Sequence, residues 1–279
     1  MKGCIVLPKY PPPFWYGAFE HIYQLNKLLD FDFVVHPSLD YDIWIVVDEA
    51  FINIENRPKQ LVYVLTYPNI QLLDHIRYEP DILLTPSELM VEKIQKKLPS
   101  THVLYLPPLI DVHELQKFCT FRKDKHRICF IGNIYKQDYK NVRLIPKLIR
   151  KFPIDFFIIG RGVSRIMSSS LPNVYVFDYI TRPYAFLNQS TIVVIPSKQD
   201  LNPLTAYHAL YFGCHVIATP IYQLKQEVPF IHFTTEERII EAIEECLETK
   251  PSFINEYHEY VKKYGITDFD ISFIFNQIS

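Results

Sequence analysis

The segment spanning residues 192–220 carries the chain's clearest chemical signal. Residues 191–195 are an apolar run of strand length, closed by Pro196 and Ser197. Asn202 is an N-cap candidate and Pro203 suits a first helical position. The helix is predicted to run to about Phe212, with Gly213 as its stop. A second strand follows at 215–219. A loop and helix start at the carboxyl end of a strand is where open parallel sheets bind ligands, and helix N-termini attract phosphates.

Glycine is scarce, seven in 279 residues, so its positions are informative. Gly17, Gly132, Gly160, Gly162 and Gly213 fall where a motif would need them. Gly160-Arg161-Gly162 follows a predicted strand at 155–159, but Arg165 occupies the third glycine position of a dinucleotide fingerprint. Gly132 follows a strand at 127–131, where the backbone must turn tightly or approach a ligand. Each of these glycines could equally just end a strand. Residues 117–165 hold 13 Lys/Arg against 3 Asp/Glu. That bias suits a phosphate-bearing ligand, or simply a solvated face.

Composition sets the limits. Apolar residues make up 48 % of the chain, enough for a sizeable core, and the net charge of −2 argues against bulk nucleic-acid binding. Five scattered cysteines without ligand spacing argue against structural zinc and fit reduced, buried thiols in a cytoplasmic protein. No signal peptide and no apolar run of membrane-spanning length is seen.

Strands and helices alternate twice along the chain, which implies parallel sheets covered by helices. In the first half, strands are predicted at 3–7, 31–35, 43–47, 61–65, 81–84 and 102–106, with helices at 17–29, 70–76 and 88–98. In the second half, strands fall at 127–131, 155–159, 173–177, 191–195, 215–219 and 230–233. Its helices fall at 141–151, 182–187, 203–212, 236–248 and 253–264. Polar residues 112–126 read as a connector. The expected plan is two Rossmann-like α/β domains, 1–111 and 112–279, facing across a cleft, with the last helix packing back on the first domain. Domain interfaces are favoured ligand sites.

The ordered set of motifs resembles the GT-B glycosyltransferases of the family 4 type, which transfer a sugar from a nucleotide-sugar with retention. Residues 16–25 (YGAFEHIYQL) resemble the family's first loop and helix. Residues 81–87 (DILLTPS) resemble its aspartate–apolar–serine element, and 103–111 (VLYLPPLID) the end of its first domain. Ile131-Gly132-Asn133-Ile134 with Lys140 resembles the diphosphate element, and 171–177 (LPNVYVF), running on to Tyr179, the base-binding strand and loop.

The resemblance implies a role for each matched residue. Asp200 and His208 stand where the family has two glutamates eight positions apart. Asp200 keeps a carboxylate for hydroxyls of the donor sugar. His208 offers single hydrogen bonds where the second glutamate would grip ribose. Asn133 replaces an arginine that pairs with the diphosphate. Lys140, or Lys136 in a slipped alignment, supplies a cation, with Arg161 nearby. Asn202, Leu204 and Thr205 offer backbone N–H groups and the Thr205 hydroxyl. The candidate catalytic pair is Asp200 and Lys140. The donor set adds Gly132, Asn133, Lys136, Arg161, Tyr179, Asn202, Leu204, Thr205 and His208.

On the acceptor side the candidates are Trp15, Tyr16, Gly17 and Tyr67, the last standing about where the family has a histidine. The ring-rich loop 11–17 could stack on a sugar or touch lipid, although a plug closing the first domain is the plainer reading.

The resemblance implies no cofactor and no metal, only a nucleotide-sugar donor, UDP- or GDP-linked. The acceptor would be a glycan, a lipid-linked molecule or a protein, with peripheral membrane contact left open. An inactive GT-B remnant that binds a nucleotide, a glycan or a partner is the main alternative. A nicotinamide oxidoreductase would rest on Gly160-Arg161-Gly162 alone.

Overall fold

The computed structural model describes residues 2–7, 16–47, 52–65, 70–119, 123, 125–134, 138–165, 171–178, 180, 182–200, 202–221, 228–249, 254–266 and 271–272. The chain divides into two compact units, one of residues 1–109 with 268–279 and one of residues 110–267.

The first unit is built on six strands: β1 (Gly3–Val6), β2 (Asp32–Val34), β3 (Ile43–Val46), β4 (Gln60–Val64), β5 (Ile82–Thr85) and β6 (His102–Tyr105). All pair in parallel, in the order β2-β1-β3-β4-β5-β6. The strands β1, β3 and β5 are buried along their whole length, as their unbroken apolar runs require. Helices α1 (Tyr16–Leu29) and α2 (Glu88–Lys97) lie between them in sequence. The helix predicted at 70–76 is a 3-10 turn, Ile70–His75. At the end of α1, Asp30 adopts φ 53° and its N–H donates to the Asn26 carbonyl at 2.8 Å. Aspartate tolerates this left-handed stop better than most side chains. Because β1 lies between β2 and β3, the chain changes direction across the sheet there. Loop 8–15 leaves from that point and lies outside the described residues.

The second unit repeats the scheme. Its strands are β7 (Arg127–Ile131), β8 (Asp155–Ile159), β9 (Val174–Phe177), β10 (Ile192–Ile195), β11 (His215–Ala218) and β12 (Ile231–Phe233). They form a parallel sheet in the order β12-β11-β10-β7-β8-β9. Its helices are α3 (Val112–Gln116), α4 (Ile145–Lys151), α5 (Tyr184–Gln189), α6 (Leu204–Tyr211), α7 (Ile239–Glu248) and α8 (Ile254–Lys262). Alternate strand residues face opposite ways. Cys129, Phe157, Val193 and Val216 join Tyr184, Tyr207 and Tyr257 of α5, α6 and α8 in one core. Ile128, Phe156, Val194 and Ile217 join Leu148 and Ile243 of α4 and α7 in the other. This period of two lets a single parallel sheet carry helices on both faces.

Three expectations are corrected. The stretch 112–126 is more than a connector. Asp111 caps α3, accepting from the Glu114 N–H at 2.9 Å, and Leu115 is buried in the core of the second unit. Its neighbour Glu114 meets Arg182 at 2.6 Å.

The helix predicted at 141–151 is split into a 3-10 turn, Val142–Leu144, and α4. Asn141 enters it at φ 51°, and Pro146 sits in the first turn of α4, where its missing N–H costs nothing.

Asn202 is not the N-cap of α6. Pro203 holds that position, no side chain caps the helix, and the helix runs only from Leu204 to Tyr211. Gly213 does end it, at φ +64°.

Candidate functional site

The strand order places β7, the first strand of the second unit, between β8 and β10. Successive strands are laid down on one side of β7 and then on the other. A crevice must open at the carboxyl ends of β7 and β10, where ligands of doubly wound sheets bind. The segments that leave the sheet at that end include 132–141 after β7, 160–165 after β8, 178 onward after β9, and 196–203 after β10.

The first two of these segments are locked backbone to backbone. The Gly132 N–H donates to the Ile159 carbonyl at 2.8 Å, and the Ile134 N–H to the Arg161 carbonyl at 3.0 Å. Asn133 closes the lock, its Oδ1 accepting from the Arg161 N–H at 2.8 Å. Where the resemblance leads one to look for an arginine facing phosphate, the asparagine side chain therefore positions the neighbouring loop. A Cβ on Gly160 would come within 2.0 Å of the Gly132 carbonyl oxygen. A Cβ on Gly132 would meet the Phe130 ring at 2.7 Å and the Lys140 Cβ at 3.2 Å. Both positions need glycine for space, and Lys140 stands directly over Gly132.

Lys140 is held by a strained turn. Asp138 at φ 46° and Asn141 at φ 51° are both left-handed. The Asp138 Oδ1 accepts from the Val142 N–H at 2.9 Å, and the Asn141 amide donates to Glu236 Oε2 at 2.8 Å. Two such residues three apart persist only where surrounding bonds over-determine them, a pattern concentrated at functional sites. The Tyr139 carbonyl accepts from the Lys198 and Gln199 N–H groups at 2.8 and 3.3 Å. That ties this turn to the loop after β10.

The consequence is an ion pair between Lys140 Nζ and Asp200 Oδ2, with side chains 24 % and 15 % exposed. The two candidate catalytic residues are thus brought into contact. Beyond them, Asn202 is 5 % exposed. Neither its Nδ2 nor its Oδ1 has a hydrogen-bond partner. Leu204 and buried Thr205 open α6, whose first N–H groups have no partner within the helix. Arg161 is exposed on the loop after β8. Beside it the carboxyl of Asp178 lies below its ordinary range, because the Ser164 hydroxyl and N–H both donate to it.

His208 lies deeper. It is 1 % exposed and its ring meets Tyr184 edge-on, centroids 5.1 Å apart. Lys136, Tyr179, Trp15 and Tyr67 lie outside the described residues. Tyr16 and Gly17 begin α1, and the Tyr16 side chain lies outside as well.

Sequence reasoning missed Asp138, Tyr139 and Asn141, the scaffold of Lys140. The Asp and Asn types flanking a lysine were a readable turn signal. It also missed that the Asn202 amide would be orphaned. No thiol here is primed as a nucleophile. Burial raises all five, Cys4 to about 12 and Cys246 to about 11. Among the described residues, no three His, Cys, Asp or Glu side chains group as metal ligands. No helix there is long and apolar enough to cross a membrane.

Two parallel six-stranded α/β units define the GT-B class of fold. Residues 125–249 match the family model described as glycosyl transferases group 1. No curated protein sequence matches the chain. Among solved structures, HepE from Anabaena in complex with UDP-glucose superposes with a TM-score of 0.72 at 10 % identity, covering 96 % of each chain. TarM from S. aureus, solved with UDP, gives 0.63 at 15 % identity over 92 % of this chain and 57 % of its own. Sucrose-phosphate synthase from Thermosynechococcus elongatus gives 0.61 at 12 % identity, covering 81 % and 70 %. At these identities the likeness establishes the GT-B fold.

Proposed function

We propose that the chain is a glycosyltransferase that moves a sugar from a nucleoside-diphosphate sugar, UDP- or GDP-linked, to a glycan, lipid-linked or protein acceptor. The observation that carries this reading is the Lys140–Asp200 pair. It sets a cation and a carboxylate together at the switch point of the second sheet, between the Gly132 loop and the start of α6. UDP in the HepE and TarM structures supports a uridine donor.

The chemistry follows from the charge that develops. Breaking the bond between the anomeric carbon and the diphosphate builds negative charge on the leaving oxygen and leaves an oxocarbenium-like sugar. Lys140, Arg161 and the N–H groups of Leu204 and Thr205 are fixed donors for that charge, so no metal need supply it. Asp200 orients the sugar through its hydroxyls. The acceptor hydroxyl then attacks from the face the diphosphate leaves and passes its proton to the departing diphosphate oxygen, which retains configuration without a protein nucleophile.

One observation favours a second reading, a nucleotide-binding remnant without catalysis. Asn133 is committed to the Arg161 backbone and adds no charge to the site. Donor hydrolysis separates the two. An active transferase leaks sugar to water from UDP-glucose or GDP-glucose, and Asp200→Ala removes the leak. A remnant releases none.

A further inference from the structure

We propose that the Lys140–Asp200 ion pair is a latch that makes the site favour a sugar-bearing nucleotide over the bare nucleoside diphosphate. This rests on the donor site described under Proposed function and adds a selectivity to it. The ammonium and carboxylate neutralise each other, largely withdrawn from solvent. They are sixty positions apart in sequence. The left-handed Asp138 and Asn141 hold the lysine's turn, and the bonds from Lys198 and Gln199 to the Tyr139 carbonyl tie the aspartate's loop to that turn. The pair is therefore a built contact between two fixed loops.

A diphosphate that reaches Lys140 competes with Asp200 for the same ammonium. A nucleotide-sugar compensates, because its hydroxyls donate to the freed carboxylate. A sugarless diphosphate brings one more negative charge and no donor. It strands a half-buried carboxylate beside like charge, which is costly. The same asymmetry acts after transfer: once the sugar has gone, re-forming the pair expels the product. Asp200 is thus a specificity-determining residue that acts by competing with the wrong ligand as well as by holding the right one.

The test is calorimetric binding of UDP, GDP and their glucose conjugates to the wild type, Asp200→Asn and Asp200→Glu. Asparagine removes the charge with little change of shape. It should tighten binding of the bare diphosphate by about tenfold while weakening the sugar conjugate by about tenfold. Glutamate keeps the charge and should leave diphosphate binding near wild type. If Asp200→Asn weakens the bare diphosphate or leaves it unchanged while the wild type binds both ligands, the latch is wrong and the donor site stands. If the wild type binds none of the four, the donor site itself is wrong and the latch falls with it.

Discussion

Gly160 and Gly132 touch through their backbones. Their contact joins the loops that follow β7 and β8, the two walls on which Lys140 and Arg161 depend. A Cβ at Gly160 would lie 2.0 Å from the Gly132 carbonyl oxygen and 3.2 Å from the Asn133 nitrogen. Neither atom is the end of a side chain, so neither can swing away. Gly160→Ala should lower unfolding stability by about 3 kcal/mol or more, read by denaturant titration. Gly162 is the control. An added Cβ there would have 3.7 Å to its nearest neighbour, leaving only the strain of φ +80°, so alanine should cost about 1–2 kcal/mol. Equal losses at the two sites would contradict the backbone contact.

Asn202 should trade stability against function. Its amide is buried with both polar atoms unpartnered, and an unsatisfied buried group costs about 1–3 kcal/mol. Asn202→Leu, which keeps the branched four-atom side-chain skeleton, should raise the melting temperature and weaken donor binding. A lower melting temperature would mean that ordered water satisfies the amide in the resting protein.

Turnover should depend on both members of the ion pair. Lys140→Met and Asp200→Ala should each reduce sugar release by about a hundredfold or more, the scale of losing one preorganised charged group. Circular dichroism should be unchanged, since neither residue belongs to a helix or strand. Wild-type rates in either variant would remove these residues from the chemistry.

His215 should make stability depend on pH. Burial is the main cause that lowers its pKa from the ordinary 6.5. The positive charge of Lys123 adds to this, and the bond to the Thr249 carbonyl opposes it. The unfolded chain therefore takes up the proton before the folded one does. The contribution of His215 is complete above about pH 6.5 and is lost as pH falls through the lower folded pKa. His215→Gln should flatten the pH dependence of the melting temperature in the window below 6.5. An unchanged slope would show that the ring is solvated.

The fold was legible because a parallel sheet writes its strands as unbroken apolar runs. Strands 127–131 and 155–159 were placed to the residue, and the others within one or two. Helix starts were less legible. Asn202 and Pro203 carry cap chemistry by type, yet the chain uses Pro203 as the cap and buries the asparagine. Propensity describes local options, and the crowded crevice chose another. Likewise 112–126 reads as polar, but a single buried leucine, Leu115, is enough to anchor a short helix once a core exists to receive it. The Lys140–Asp200 contact was out of reach. Each residue could be nominated separately, but their pairing depends on two left-handed residues and a shared carbonyl that no periodicity encodes.

The central claim is a nucleotide-sugar site at the switch point of the second sheet, and ligand-induced thermal stabilisation tests it most directly. A ligand that binds only the folded state must raise the melting temperature. The melting temperature should rise with the concentration of UDP-glucose or GDP-glucose, and less so in both Lys140→Met and Asp200→Ala. No rise with either sugar nucleotide at millimolar concentration would contradict it.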